Sequence, residues 1–501
     1  MKKLIYTMNY AVYPHQGAML DKLVEEQNNG HEVFWAYCHG ALSSCFPNVN
    51  GNKATCKFCH FMNKEFARQY TDKRVHIIPI DKRFFKIHEK HNFNYSTIED
   101  IKAIKYRGVE VGKSILSVFI SGTRDLDIEI NERFRKYFDQ LAQEICDYTD
   151  YIYTLIERIK PDEIIVQNGR LFEHRMFYDI AMVKGIKYVS IEVIGGHGEP
   201  FKRVSFYGTL PHSIANRTKI MNDVWEKSED SDEEKEKIAK VFYEKRRGGE
   251  LIADTKAYTA NQIKGLLPED FDNKKRNIAI FNSSTDEVAA IGGEWDEGKL
   301  FDCQYDAIEF IIKNATKDMH FYLRIHPNME NVTYHDHIGL YDLQKKYNNI
   351  TVIGPKSEIS SYAVLDACEK TITFGSTMGV EACYWGKPSI LIGKSFYYGL
   401  DVCYKPQTKN EILDLLAAKL QPKDRHDAIK YAYYLLDRKY QIDPKEYVRF
   451  NIQEKMILGY KYQYVPYLRI LRTTILYKIV HFIYHHFFEK KSSIAYHYPI
   501  K

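Results

Sequence analysis

Residues 371–393, TITFGSTMGVEACYWGKPSILIG, constrain the fold of this chain more than any other stretch. TITF is a short β-rich apolar run. Gly375, Ser376, Thr377, Met378 and Gly379 follow it, a set able to turn sharply. Val380–Trp385 has room for one or two helical turns, Gly386-Lys387-Pro388 breaks them, and SILIG begins another buried strand. Strand, tight loop, helix, strand is the repeating unit of a parallel α/β sheet. Such a loop presents backbone N–H groups at a helix start, where an anion, above all a phosphate, is favoured. Ser376 and Thr377 add hydroxyl donors. Glu381, one turn in, is open to two readings: a carboxylate accepting from the ribose hydroxyls of a nucleotide, or a buried acid in a plain βαβ turn.

The preceding hundred residues repeat the unit. NIAIFNSS (277–284) reads as a strand ending in the polar loop Asn282-Ser283-Ser284-Thr285-Asp286, and a helix is expected over Asp306–Lys313. HFYLRIHPN (320–328) is a strand ending in Arg324-Ile325-His326-Pro327-Asn328, and ITVIGPKS (350–357) is another. Open parallel sheets bind ligands at the carboxyl ends of their strands. The ends here carry Ser283 and Ser284, Arg324 and His326, Ser357, and Ser376 with Thr377.

The N-terminal half has the same grammar. KKLIYTM is a first strand, a loop with Tyr13, His15 and Gln16 follows, and a helix spaced by Met19, Leu20, Leu23 and Val24 stops at Asn28-Asn29-Gly30. HEVFWAY is a second strand, VHIIPI a third, and helices are expected around 97–105 and 129–159. PDEIIVQNGR is a strand ending in Gln167-Asn168-Gly169-Arg170. LFEHRMFYDIAMVKG is a helix stopped by Gly185, and IKYVSIEVIGGHGEPF a strand with a glycine-rich loop. The charge run 225–240 reads as an exposed, capped helix.

Between the second and third strands lie Cys38, Cys45, Cys56 and Cys59, with His39 and His60 beside them. The terminal C-x2-C suits a structural zinc knuckle, but the first pair is too widely spaced for one. Free packing thiols, and a redox pair or disulfide, are the other readings. The tail 467–493 is apolar with Arg469, Arg472, Lys478, Lys490 and Lys491, which fits a helix on an anionic membrane surface or one packed on its own domain.

Composition narrows the class. A net charge of +5 over 501 residues gives no reason to expect nucleic acid as a partner. MKKLIYTMNYAVY lacks a long apolar core and a cleavage site, and no run of about 18 apolar residues exists. With nine cysteines, an odd number, this points to reduced thiols in a cytoplasm.

The order S-S-x-D, R-x-H-P, G-S-T-x-G-x-E-A-x-x-x-G-K-P-S resembles the nucleotide-binding half of bacterial capsule and lipopolysaccharide glycosyltransferases, in particular the capsule polysaccharide biosynthesis group. The likeness covers roughly residues 275–420 and is weaker over 1–210. It implies an α/β protein of GT-B architecture, two Rossmann-like domains facing across a cleft. The expected division is 1–270 with the Cys-rich insertion 38–60, 271–423, and 424–501 as a helix returning to the first domain plus the basic tail. The resemblance implies an acceptor side formed by Asn168, Gly169, Arg170, Arg175 and Glu192. Arg175 has a second reading as a salt bridge to Asp179 one turn on, and Glu192 another as a solvated strand end.

The activity expected is transfer of a sugar from a nucleotide-activated donor to a surface polysaccharide or lipid-linked glycan at the inner membrane surface. Ser283, Ser284, Arg324, His326, Ser376, Thr377 and Glu381 would hold the donor, with His326 supporting the departing phosphate. No D-x-D stands at a strand end (Asp125-Leu126-Asp127 lies in a polar stretch), so no catalytic cation or other cofactor is expected. An inverting reaction needs a general base, for which Glu192 comes first, then His15 and Asp286. A sugar-nucleotide epimerase of the same fold, a polyol-phosphate transferase and a non-catalytic polysaccharide-assembly factor are the alternatives.

Overall fold

A computed structural model describes residues 1–7, 15–46, 48, 51–85, 90–196, 199–253 and 258–436, together with 454–457 and 460–463. Tyr13 and the tail 467–493 lie outside the described residues.

The first domain runs β1 (Lys2–Thr7), α1 (His15–Asn28), β2 (Glu32–Cys38), α2 (Lys53–Tyr70), β3 (Val75–Ile80), α3 (Ile98–Ala103), α4 (Val111–Thr123), α5 (Glu132–Ile159), β4 (Glu163–Gln167), α6 (Phe172–Lys184), β5 (Lys187–Gly196) and β6 (Glu199–Tyr207). Its sheet order is β3-β2-β1-β4-β5-β6, parallel except for β6, which pairs antiparallel with β5. β1 and β4 are buried almost throughout, the pattern of strands covered on both faces. α5 is started by Asn131, whose side chain accepts the Phe134 N–H, and it lays Phe134, Phe138, Leu141, Ile145 and Ile152 into the core. α6 stops as expected at Gly185, in the left-handed conformation at φ 65°.

α7 (Ile214–Lys227) and α8 (Asp232–Arg247) follow. A capping box between Ser231 and Glu234 starts α8. The second domain is β7 (Arg276–Phe281), α9 (Gln304–Asn314), β8 (Met319–Arg324), α10 (His335–Lys346), β9 (Ile350–Ile353), α11 (Ser361–Ala367), β10 (Lys370–Thr373), α12 (Met378–Tyr384), β11 (Ser389–Leu391) and α13 (Lys409–Ala417). Its sheet is parallel, in the order β11-β10-β7-β8-β9. α14 (His426–Leu436) comes next, and β12 (Glu454–Ile457) and β13 (Tyr460–Gln463) form a separate hairpin. Two Rossmann-like α/β domains in succession are the GT-B architecture.

Two placements differ from the sequence reading. α7 and α8 lie before residue 270 yet pack with the second domain: Met221, Val224, Phe242 and Tyr243 share one core with Val380, Cys383, Leu391 and Tyr397. α14 closes that same core through Ala428, Ala432 and Tyr433 and lies against α7, α8 and α12. The expected return helix therefore packs on the linker helices and α12. Among the described residues no helix is long and apolar enough to cross a membrane.

The domains are tied directly. Arg124, just after α4, forms an ion pair with Asp286 at 2.8 Å and donates to the Asn328 carbonyl at 2.8 Å. Within the second unit, Glu294 accepts the N–H groups of Ile214 and Ala215 and so fixes the start of α7.

Candidate functional site

In the second sheet the chain runs from β7 outward through β8 and β9, then crosses to β10 and β11 on the other side of β7. The exit loops therefore diverge between β7 and β10, the place where open α/β sheets bind ligands. Phe281 pairs with both Arg324 and Thr373, so the three strands end level and release Asn282, Ile325 and Phe374 together.

Side chains then knit the loops. Asn282 Oδ1 accepts the His326 N–H at 2.7 Å, Asn328 Nδ2 donates to Ser284 Oγ at 3.2 Å, and Ser283 Oγ donates to the Phe374 carbonyl at 2.7 Å. Gly375 turns the loop at φ 107°, with the space for a Cβ only 2.7 Å from the Lys394 carbonyl oxygen, so a glycine is required there.

A cavity of about 60 Å³ lies in this crevice, lined by Arg246, Tyr258, Arg324, His326, Ser376 and Thr377 among others. Its volume is that of about two waters in the liquid, enough for a phosphate group. Arg324 is 4% exposed. Among the described residues its guanidinium reaches only backbone carbonyls, those of Ser357 at 3.1 Å and Ile359 at 3.4 Å, and buried Nε has no partner. Burial without a carboxylate brings its pKa down to about 10. It stays a cation at neutral pH.

His326 Nδ1 accepts the Asn328 N–H at 3.2 Å, which places the ring hydrogen of the neutral form on Nε2, a donor. Its ring meets Tyr258 edge-on, centroids 5.0 Å apart. Ser376 Oγ accepts the Met378 N–H at 3.3 Å. Thr377 Oγ1 accepts from Arg246 Nη2 at 2.9 Å, and its hydroxyl hydrogen bonds the Glu381 carboxylate.

Three expected roles are corrected. Glu381 is fully buried, with Oε1 taken by Arg246 at 2.8 Å and Oε2 by the Tyr362 hydroxyl. Burial would raise its pKa, but Arg246 and Tyr362 outweigh that and lower it. A carboxylate so engaged is a structural anion that fixes α12, and it does not offer its oxygens to a ribose. Asp286 is committed to Arg124 and joins the domains, so it is not a free base. Arg175 is buried and paired with Asp179 at 2.9 Å along α6, so it does not reach an acceptor.

In the first domain the reversal falls between β1 and β4. There the structure brings three expected residues together: Glu192 accepts a hydrogen bond from Asn168 Nδ2 and lies 3.8 Å from His15 Nε2. Asn168 and Gly169 turn the chain with positive φ of 55° and 88°. Arg170 folds back to α4, its Nη1 3.4 Å from Ser117 Oγ. Gln16 is buried beneath this edge.

The four cysteines do not form a knuckle. Cys56 and Cys59 sit one turn apart inside α2, where the backbone follows a helix and not the tight turn that aims two thiolates at one ion. Their sulfurs accept from Asn48 and Asn63 at 3.4 and 3.8 Å. Burial raises the pKa of Cys38, Cys45 and Cys56, favouring thiols. The neighbouring His39 and His60 rings stack at 3.7 Å, with His39 paired to Asp81. Among the described residues no three His, Cys, Asp or Glu groups are arranged to hold a metal ion.

Sequence reasoning missed Arg246, Tyr258 and Tyr362. Arg246 lies beyond the charge run 225–240 that reads as an exposed helix, and the packing of α8 onto α12 turns it inward.

No protein-family model matches the chain, and no curated protein matches it in sequence. Among solved structures the chain is similar, at 14% identity, to the KpsC β-Kdo 2,4 transferase of Thermosulfurimonas dismutans, over 55% of this chain and 79% of that one with a TM-score of 0.34. It is similar at 11% identity to the UDP-GlcNAc 2-epimerase of Methanocaldococcus jannaschii, over 87% and 99% with a TM-score of 0.26. With the spinosyn rhamnosyltransferase SpnG the values are 12%, 88% and 96%, and 0.22. Likenesses this slight say nothing of activity.

Proposed function

We propose that the chain is a glycosyltransferase that moves a sugar from a nucleotide-activated donor to a growing surface polysaccharide or lipid-linked glycan. The observation that carries this reading is Arg324, a buried guanidinium lining a phosphate-sized cavity and bonded, among the described residues, to backbone carbonyls and to no carboxylate; Glu250, the acid that also lines the cavity, lies against Lys245. An anion is the ligand such a group lacks. His326 Nε2 and the hydroxyl of Ser376 complete a donor set on the same cavity. Together they would support the charge that grows on a departing nucleoside diphosphate without a divalent cation.

In the reaction proposed, Glu192 takes the proton of the acceptor hydroxyl, held for this by Asn168 and His15. The acceptor oxygen bonds to the anomeric carbon from the face opposite the phosphate. The bond from that carbon to the phosphate oxygen breaks, and the diphosphate leaves with the electron pair.

A thermal-shift screen against UDP-, GDP-, CMP- and CDP-linked sugars tests the reading. At least one should stabilise the wild type, and His326→Ala should abolish transfer while the protein still melts cooperatively. A wild type stabilised by none of them refutes it. Turnover of the nucleotide-sugar with no acceptor present would make the chain an epimerase of the same architecture.

A further inference from the structure

Two of the exit loops that build the phosphate site are gripped from the other domain. The guanidinium of Arg124, at the end of α4, spreads over both. Nε and Nη2 donate to Asp286 at 2.8 and 3.4 Å, in the turn that follows the β7 exit loop. Nη1 donates to the Asn328 carbonyl at 2.8 Å, in the β8 exit loop. A guanidinium holds its donors in a fixed planar fork, so it can set the spacing of two loops as a lysine ammonium cannot. Asp286 is buried beneath this grip, and Ala290, a turn further on, is part of the first domain's core. The β7 exit loop thus runs directly from Asn282 and Ser283 at the phosphate site into the domain contact.

The backbone at Arg124 is a second observation. Its φ of 56° is left-handed, the conformation that glycine and asparagine reach most easily. Its N–H closes α4 on the Ile120 carbonyl at 2.7 Å. A glycine would close the helix with less strain, so what the arginine adds is the fork. From the fork the contacts lead to the proposed site. Asn328, whose carbonyl Arg124 holds, donates its own N–H to His326 Nδ1 and its Nδ2 to Ser284 Oγ, both at 3.2 Å. At its middle, α4 reaches the other half-site. Ser117 Oγ lies 3.4 Å from Arg170 Nη1, the Arg170 N–H donates to Asn168 Oδ1 at 3.1 Å, and Asn168 donates to Glu192.

We propose that Arg124 is a positioning residue for the transfer: from the first domain it sets the His326 ring through Asn328, and through α4 it fixes the phosphate site relative to Glu192. The proposal rests on the transferase reading. Arg124 touches neither sugar nor phosphate in it; it makes the phosphate site complete when the two domains are docked. Linkage then requires the converse. A nucleotide held on the second domain tightens the docking at Arg124 by the same factor that Arg124 contributes to nucleotide affinity. An ion pair that merely glued the domains would raise the melting temperature and leave nucleotide affinity untouched.

Titration calorimetry of the full chain with UDP, GDP, CDP and CMP tests the proposal, beside hydrogen–deuterium exchange with whichever of them binds. Arg124→Gly keeps the left-handed turn and removes the fork. It should bind that nucleotide roughly 10-fold more weakly than the wild type while still melting cooperatively. In a His326→Ala background the same substitution should add less than about a twofold loss, because its effect runs through His326. Nucleotide should slow exchange over 119–127 of the wild type, a first-domain segment outside the phosphate cavity, and should not do so in Arg124→Gly. Unchanged affinity in a folded Arg124→Gly, a second loss in His326→Ala as large as the first, or protection confined to the second domain overturns the positioning role. If Arg124→Gly does not melt cooperatively, the wild-type exchange pattern decides. A wild type that binds none of the four nucleotides overturns the transferase reading and the proposal with it, whereas binding that Arg124→Gly leaves intact overturns the proposal alone.

Discussion

Replacing Arg324 by Met should make the empty protein slightly more stable and cripple its binding of nucleotide. Burial lowers the guanidinium from its ordinary value to about 10. At 1.36 kcal/mol per pKa step, that fall means about 3 kcal/mol of unfavourable desolvation in the empty site at neutral pH. The sign follows from linkage: a cation whose folded pKa is depressed destabilises the fold at every pH below that value, and relief comes only above about 10. Met has a similar reach and no charge, so the penalty vanishes. Two hydrogen bonds to the Ser357 and Ile359 carbonyls go with it, at about 1 kcal/mol each. The balance is a gain of about 1 kcal/mol, or a melting temperature higher by about 2–4 °C for a domain of this size. Binding moves the other way. A charged hydrogen bond to phosphate contributes about 1.5–3 kcal/mol, so affinity should fall roughly 10- to 150-fold. Calorimetric melting of both proteins without ligand, and titration with whichever nucleotide stabilises the wild type, measure the two effects. An Arg324→Met variant that melts several degrees lower and binds nucleotide as well as the wild type would refute the reasoning, since Arg324 would then be a structural cation.

Three further outcomes are expected. Arg246→Met should cost about 3–5 kcal/mol, because it strands the fully buried Glu381 carboxylate, and adding Glu381→Gln should return much of that loss in denaturant titrations. Glu173 is fully buried and its pKa is raised to about 7 by burial, so the fold should lose stability as pH climbs from about 4.3 to 7; Glu173→Gln should melt higher than the wild type at pH 8, with the gain gone by pH 4. Elemental analysis of freshly purified, reduced protein should find no stoichiometric zinc, since Cys56 and Cys59 lie within a helix and bond to Asn48 and Asn63; one zinc per chain lost in Cys56→Ser would restore the reading from spacing.

Most strands and several helices were legible in the sequence because their signals are local. TITF, NIAIF and HFYLR are apolar runs with turn residues behind them, and the positions after strand ends were found from order alone. What escaped had no local signal. α4, VGKSILSVFISGT, is buried on nearly every side and so shows no clean amphipathic period. β6 contains Pro200, Lys202 and Arg203, and the sequence reads as a loop after GGHG. Yet Arg203 is wholly buried against Asp21 and Glu25 of α1, some 180 residues earlier. The site divides along the same line. His326 and Ser376 could be placed from their strand ends, while the roles of Glu381 and Asp286 were misread. Each of these acids is neutralised by an arginine more than a hundred residues away, Arg246 for one and Arg124 for the other. Sequence locates a charge on its element, but only the tertiary fold decides whether that charge is already paired. Arg324 differs because the β8 exit turns it toward the backbone carbonyls of 357 and 359, oxygens with partial charge only. Among the described residues no carboxylate is bonded to it, and that asymmetry between Arg246 and Arg324, on one small cavity, is what supports the proposal that one arginine holds the fold and the other meets a ligand.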